Sequence, residues 1–415
     1  MPRPTEIVPR HARSLVLEAL ADTRVVMVMG ARQVGKSTLT RAIATEDHPA
    51  QILSLDERTT RESAQRDPTG FVAALDRPVL IDEVQRAPDL LFAIKDAVDR
   101  EPRAGRFLLT GSANVLTAPK VYEALTGRME IVTLWPLSQA EIERTASNFV
   151  DALFAGRPPV VTDAPSGRAA FVERVARGGY PEARQRSGRR RNSWFESYVT
   201  TTIERDVRDI ADVQRLDEMP RLLRLLASQA AGTFVSSNAA NALRITDKTV
   251  QTYTRLLETM FLAKRLPAWR PGISAREVHA PKLYLVDAGL LAHLLGADER
   301  RLATDDQITG KALENFVAME LVKHAEWAMT PTRLYHYRAD RDEIDLVLES
   351  RSGDVIAVEV KAAATVDRRD YRAIEKLRDR GRGSFIAGAV IYTGAQTLPL
   401  ADRIWAVPVS GLWAD

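Results

Sequence analysis

Short apolar runs separated by helix-like segments fill the first third of the chain. Val25 to Met29 is unbroken apolar sequence, and Pro78-Val79-Leu80-Ile81 and Phe107-Leu108-Leu109 repeat the pattern. Runs without polar alternation predict strands covered on both faces. Strands alternating with helical stretches such as Leu39 to Ala44 predict a doubly wound parallel sheet, with its site at the strand C-terminal ends. This domain is expected over residues 1–150. A turn-rich stretch from Gly156 to Gly167 marks a boundary, and a helical pattern from Phe171 to Ile210 predicts a lid or linker over 151–215. From Arg221 the order is helix, short helix, turn, longer helix and strand. That order predicts a winged helix-turn-helix over 216–280, with serine capping the second helix and Thr246-Asp247 opening the third. The remainder, 281–415, predicts a helix over Gly310 to Trp327, three strands, a basic helix and two more strands. The expected class is therefore α/β, with a helical and winged-helix middle between two α/β domains.

Composition changes this picture little. Of 415 residues, 45% are hydrophobic and 27% charged, and the net charge is +3, so no class of partner is selected by bulk charge. The absence of cysteine excludes disulfides and thiolate zinc sites, and the six histidines show no ligand spacing. No apolar run reaches the roughly 18 residues of a membrane span. Met1 to Pro4 opens no signal peptide. A cytoplasmic protein without membrane contact is expected.

The first candidate chemistry is GARQVGKST, Gly30 to Thr38, which follows one apolar run and precedes a helical pattern. It fits G-x-x-x-x-G-K-[ST] with Gly30, Gly35, Lys36 and Ser37. Glycines let the backbone of Ala31, Arg32, Gln33 and Val34 curl around phosphate oxygens at a helix start. Lys36 would reach the β- and γ-phosphates, and Ser37 would hold Mg²⁺, with Thr38 beside it. Asp82 and Glu83 end the second strand, where Asp82 would join the Mg²⁺ shell and Glu83 would polarise the attacking water. The third strand ends in polar Thr110, Ser112 and Asn114. Ser112 or Asn114 is the expected γ-phosphate sensor. ATP and Mg²⁺ are the expected cofactors.

These motifs, with LIDEVQRAPDLL, FLLTGSAN and LTGRMEIVTLWPLSQAE, resemble bacterial AAA-type ATPases related to archaeal P-loop ATPases. The resemblance extends through GGYPEA, PKLYLVDAGLLAHLLG and ALENFVAMEL, which are similar to a C-terminal region of unassigned function in such proteins. It implies a homo-oligomer, with a hexameric ring as one form. It also implies that Arg128, in L-x-G-R, is an arginine finger. A structural ion pair is the alternative role for Arg128.

The middle of the chain offers two basic features. The run Arg184 to Arg191 is either a solvated face or a phosphate-binding patch. Lys248, Thr249, Gln251 and Thr252 lie at the start of the expected recognition helix and would face a DNA groove, unless the winged helix serves protein contacts.

The C-terminal strands carry charges inside apolar runs: Asp345 in EIDLVLE, and Glu359 and Lys361 in VIAVEVK. Strand alternation puts Glu359 and Lys361 on one face. Glu314 flanks the apolar side formed by Leu313, Phe316, Val317 and Leu321 of the preceding helix. A Glu314–Asp345–Glu359 set beside Lys361 would suit Mg²⁺ or Mn²⁺. This order resembles the PD-(D/E)xK nuclease superfamily, with Ile344 standing where the pattern has proline. The resemblance implies either a metal-dependent nuclease or a salt-bridged remnant of one. Arg338, Arg341 and the basic helix Arg368 to Arg382 would contact nucleic-acid backbone in both cases. The combined expectation is an ATP-dependent DNA-processing enzyme. Duplex or branched DNA such as a Holliday junction would be its partner by analogy, and a signalling or defence switch is the alternative.

Overall fold

The computed structural model describes residues 7–111, 125–210, 217–270, 280–339, 342–380 and 383–415. They form two compact units. The first comprises Met1–Pro136, Thr201–Leu216 and Thr259–Phe261; the second comprises Leu137–Thr200, Asp217–Glu258 and Leu262–Asp415.

In the first unit, strands β1 (Val25–Met29), β2 (Gln51–Ser54), β3 (Val79–Asp82), β4 (Phe107–Gly111) and β5 (Met129–Thr133) form a parallel sheet in the order β2-β3-β4-β1-β5. Every residue of β1, β3 and β4 is buried, as their unbroken apolar sequence requires. Val25, Met27, Ile81, Phe107 and Leu109 share a core with Leu90, Leu91, Ile94 and Val98 of the helix Leu90–Arg100. Because β4 lies between β1 and β3, its last residues sit between the loop after β1 and the acidic end of β3.

The second unit contains two sheets. Strands β6 (Gly232–Thr233), β7 (Ala263–Leu266) and β8 (Lys282–Leu285) are antiparallel in the order β6-β8-β7. With them run helices α1 (Glu218–Ser228), α2 (Ser236–Leu243) and α3 (Asp247–Thr259). Residues Val250, Tyr253, Thr254 and Leu257 form the buried stripe of α3, and Thr246 Oγ1 caps it by accepting from Thr249 N at 3.1 Å. The serine cap expected for α2 is absent: Val235 holds the cap position and no side chain caps it. Strand β8, placed on sequence with the C-terminal domain, pairs with β6 and β7 instead.

The larger sheet has the order β13-β14-β12-β11-β10-β9, formed by β9 (Thr332–Ala339), β10 (Asp342–Ser350), β11 (Val355–Lys361), β12 (Phe385–Tyr392), β13 (Leu398–Ala401) and β14 (Ile404–Pro408). Strands β9, β10 and β11 form an antiparallel meander, and β12 joins β11 in parallel after the helix α5 (Arg368–Arg380). Ahead of the meander lies α4 (Asp306–Glu326), capped by Asp305, which accepts from Ile308 N at 3.2 Å. The sequence predicts one buried side for α4. Its middle is buried on nearly all sides, Asn315 and Glu320 included, so periodicity within it is weak. Asn315 exchanges two hydrogen bonds with the Leu285 backbone, at 2.8 and 2.9 Å, and so fixes α4 to the end of β8.

Candidate functional site

The loop after β1 has the shape a phosphate cradle needs. Gly35 and Gln33 adopt left-handed conformations with φ of 98° and 61°, which curl the chain before the helix Lys36–Ala42. A Cβ at Gly30 would lie 2.1 Å from the Leu134 carbonyl oxygen, so only glycine fits there. Ala31 and Val34 are buried and anchor the loop, whereas Gln33 and Thr38 are exposed and Arg32 is half-buried. Lys36 Nζ donates to the carbonyls of Gly30 and Ala31 at 3.0 and 2.9 Å, across the loop's own span. Arg10 braces the loop from outside, donating to Val34 O at 2.7 Å and to Trp135 O at 2.6 Å.

One hydrogen-bonded chain joins the three strand ends. Ser37 Oγ donates to Asp82 Oδ1 at 2.9 Å, and Thr110 Oγ1 donates to the same oxygen at 2.5 Å. Glu83 N donates in turn to Thr110 Oγ1 at 3.0 Å. Glu83 has φ of 63°, an uncommon conformation for a residue with a Cβ, and its carboxylate accepts from Gln85 Nε2. Ser37 and Asp82 therefore stand together as a hydroxyl and carboxylate pair suited to Mg²⁺, beside the phosphate cradle. These residues fit ATP and Mg²⁺; the nucleotide supplies the phosphoryl group, and the chain supplies its orientation. Thr110 was noted on sequence only as one polar strand end, yet it links Asp82 to Glu83. The preferred sensors Ser112 and Asn114 lie outside the described residues.

Arg128 forms a forked ion pair with Asp99 of the helix Leu90–Arg100, at 2.5 and 2.9 Å, and donates to Thr126 O at 3.2 Å. The hydrogen bond from Arg128 holds the Asp99 carboxyl below its ordinary range. Within a single chain, Arg128 is thus paired with a carboxylate of the same domain.

In the second unit, Glu314 and Asp345 do converge, but on a side chain that sequence analysis missed. Lys282, 2% exposed, extends from β8 and places Nζ 2.9 Å from Glu314 Oε1, 2.9 Å from Asp345 Oδ1 and 3.0 Å from Glu343 Oε1. Tyr284, two residues on and so on the same face of β8, donates to Glu314 Oε1 at 3.1 Å. Asp345 sits where the β9–β10 register shifts, between Ile344 and Val347. Such a bulge re-aims a side chain. Its Oδ2 accepts from Val360 N at 2.9 Å, and its own N–H faces Glu359 Oε2 at 3.3 Å. Lys361 Nζ donates to Glu359 Oε1 at 2.8 Å.

Crowding of carboxylates raises their proton affinity. Burial, then the charge of Asp345, pushes Glu314 up to about 7 against the pull of Lys282. The same two causes push Glu359 up to about 8 against Lys361. Burial alone would discharge Lys282, but Asp345, Glu314 and Glu343 outweigh it and keep the ammonium charged. Among the described residues, no group of three or more histidine, aspartate or glutamate side chains is disposed to hold a metal ion. The carboxylates expected to ligate Mg²⁺ or Mn²⁺ are spent on lysines and backbone N–H groups, so they do not fit that ion as arranged.

Of the other candidates, Lys248 and Gln251 are exposed on α3, in line with exposed Arg255, while Thr249 and Thr252 are half-buried. In the basic run, Arg184 and Arg191 donate to the carbonyls of Gly178 and Ala176 and brace the fold, whereas Arg189 and Arg190 are exposed. Arg338 is exposed on β9. Arg341, Gly381 and Arg382 lie outside the described residues. No described helix is long and apolar enough to cross a membrane.

Residues 22–143 match the family described as an AAA domain, and residues 168–301 and 309–412 match two domains of unknown function, DUF8612 and DUF4143. The chain therefore carries an AAA P-loop domain followed by those two. Uncharacterized proteins of Mycobacterium bovis and Mycobacterium tuberculosis are each 29% identical over 403 residues, which is 96% of this chain and 83% of the relative. Among solved structures, the Walker-type ATPase of Pyrococcus abyssi aligns with a TM-score of 0.44 and 17% identity, covering 71% of this chain and 99% of that one. The RuvB Holliday junction branch migration motor of Thermotoga maritima aligns with a TM-score of 0.29 and 18% identity, covering 64% and 93%.

Proposed function

We propose that this protein is an ATP-hydrolysing AAA-type protein that acts on DNA, gripping duplex with α3 and resting its backbone on a nuclease-like C-terminal domain. Hydrolysis is supported by the Ser37–Asp82–Thr110–Glu83 chain at the mouth of the P-loop. The observation that carries DNA binding is the three-stranded order β6-β8-β7 with α1, α2 and α3. We read that order as a winged helix, and Lys248, Gln251 and Arg255 are exposed along one face of α3. The sequence of elements α4, β9, β10, β11, α5, β12, with β12 parallel to β11, supports a restriction-endonuclease-like core. A homo-oligomer, with Arg128 donated to a neighbour's nucleotide, is part of this reading.

Metal-dependent cleavage is a second reading. It is favoured by Asp345, Glu359 and Lys361 meeting at the β10–β11 pair, and opposed by Lys282.

The test measures ATP turnover with a labelled four-way junction, a matching linear duplex, or no DNA, in Mg²⁺ and in Mn²⁺. Stimulation by DNA that is lost in Lys248→Ala/Arg255→Ala supports the reading. Turnover indifferent to both DNAs, with no binding to either, overturns it in favour of a signalling or defence switch. The same gels report cutting: cleavage abolished by Glu359→Ala would establish the second reading.

A further inference from the structure

We propose that the C-terminal domain supplies its own cations, with Lys282 taking the place of a divalent ion at Glu314 and Asp345 while Lys361 occupies Glu359. The site then takes no metal while the lysine is present. The fold around it, on the reading proposed above, resembles one that ordinarily gathers carboxylates for a metal, yet here a tethered ammonium meets Glu314, Asp345 and Glu343 within 3.0 Å.

Other groups hold these carboxylates as well. Glu314 Oε1 takes Tyr284 besides Lys282, and Asp345 Oδ2 takes Val360 N. The two Glu359 oxygens take Lys361 and Asp345 N. An incoming ion would need to displace one or both lysines and break a main-chain bond. Lys282 is itself tied down: it is 2% exposed on a strand paired on both sides, so it has no room to swing out to solvent. A buried ammonium without these partners would be discharged or expelled. The lysine and the carboxylates therefore hold one another, and β8 of the small sheet is fixed to α4 and β10 of the large one. The domain on this view binds a phosphate backbone without cutting it.

The experiment titrates Mn²⁺ alone into the full-length chain, without nucleotide or DNA, and counts bound ions by electron paramagnetic resonance. Wild type and Asp345→Asn are expected to bind the same number. Lys282→Met is expected to gain one ion, which Lys282→Met/Asp345→Asn loses again, and Mn²⁺ should raise the melting temperature of Lys282→Met selectively. A wild-type ion lost on Asp345→Asn overturns the proposal, as does a folded Lys282→Met that gains none. If Lys282→Met fails to fold, the comparison of wild type with Asp345→Asn, repeated with Glu359→Gln, decides: equal counts support the proposal and a lost ion overturns it. Since Mn²⁺ is the only ligand, the outcome is independent of whether DNA binding is found.

Discussion

Lys282 Nζ lies 2.9 Å from Asp345 Oδ1, an ion pair that links a strand of the three-stranded sheet to the bulged strand of the six-stranded one. Both side chains are nearly shut off from solvent. Removing one partner leaves the other buried and uncompensated, which typically costs about 3–5 kcal/mol. Lys282→Ala should lose that much in urea unfolding of the full-length chain. The Lys282→Met/Asp345→Asn double variant should be less destabilised than the two single changes summed, because the second removes a charge the first has orphaned. Wild-type stability in Lys282→Ala would mean the pair is solvated in solution.

At the P-loop, binding and turnover should separate. Lys36→Ala removes the ammonium that spans the loop and should abolish ATP binding. Glu83→Gln keeps the side-chain shape but cannot take a proton, and general-base losses are roughly 10²–10⁴-fold in rate. Nucleotide affinity should persist in Glu83→Gln while phosphate release falls by that factor. A variant that still turns over ATP at the wild-type rate would remove Glu83 from the reaction.

Thr110 makes a sharper test of the strand-end chain. Thr110→Val is nearly isosteric, but it leaves Glu83 N without its acceptor and Asp82 Oδ1 without one donor. An unsatisfied buried group of this kind costs about 1–3 kcal/mol. Turnover should fall with little change in ATP affinity, because the lost hydroxyl positions Asp82 and Glu83 rather than touching the nucleotide. Loss of affinity together with unchanged turnover of bound ATP would contradict that role.

The difference between what was legible and what was not follows from the range of each interaction. The P-loop was legible because its requirements are local: glycines at fixed spacing, a strand before and a helix after. The carboxylates Asp345 and Glu359 were legible because charge inside an apolar strand is costly and needs a partner. For Glu359 the partner Lys361 is two residues away and legible, whereas Lys282, the partner of Asp345, lies 63 residues before it in the chain and belongs to a different sheet. The same cost argument applies to it, since Lys282 opens the apolar strand Lys282–Leu285 and is itself a buried charge. Helix α4 misled in another way: buried on most sides, it carries no clear polar stripe to show which face receives Glu314.

Arg128 and Asp99 separate two roles through opposite substitutions. If Arg128 is a finger, Asp99→Ala should leave turnover intact, whereas Arg128→Ala should abolish it and poison neighbours in mixed oligomers; fingers are worth about 10³–10⁵ in rate. If the pair is structural, both substitutions should lower the melting temperature alike, and mixing should give turnover proportional to the intact fraction. Steady-state turnover across a mixing series distinguishes the two.

The pH dependence of stability should carry the signature of the C-terminal cluster. Glu359 is raised from 4.5 to about 8, first by burial and then by the Asp345 charge. A carboxyl raised on folding binds its proton more tightly in the native state than in the unfolded one. Stability therefore falls as pH rises through the window from 4.5 to about 8, and the penalty is complete above it. Glu314, raised to about 7, acts in the same direction over a narrower window. Glu359→Gln cannot ionise, so its melting temperature relative to wild type should improve steadily from pH 5 to pH 8.5. Part of that gain will be offset at every pH by loss of the charge-assisted bond to Lys361. Parallel melting curves for the two proteins across this range would mean that Glu359 titrates like an exposed carboxylate, and that its burial in the folded protein does not hold in solution.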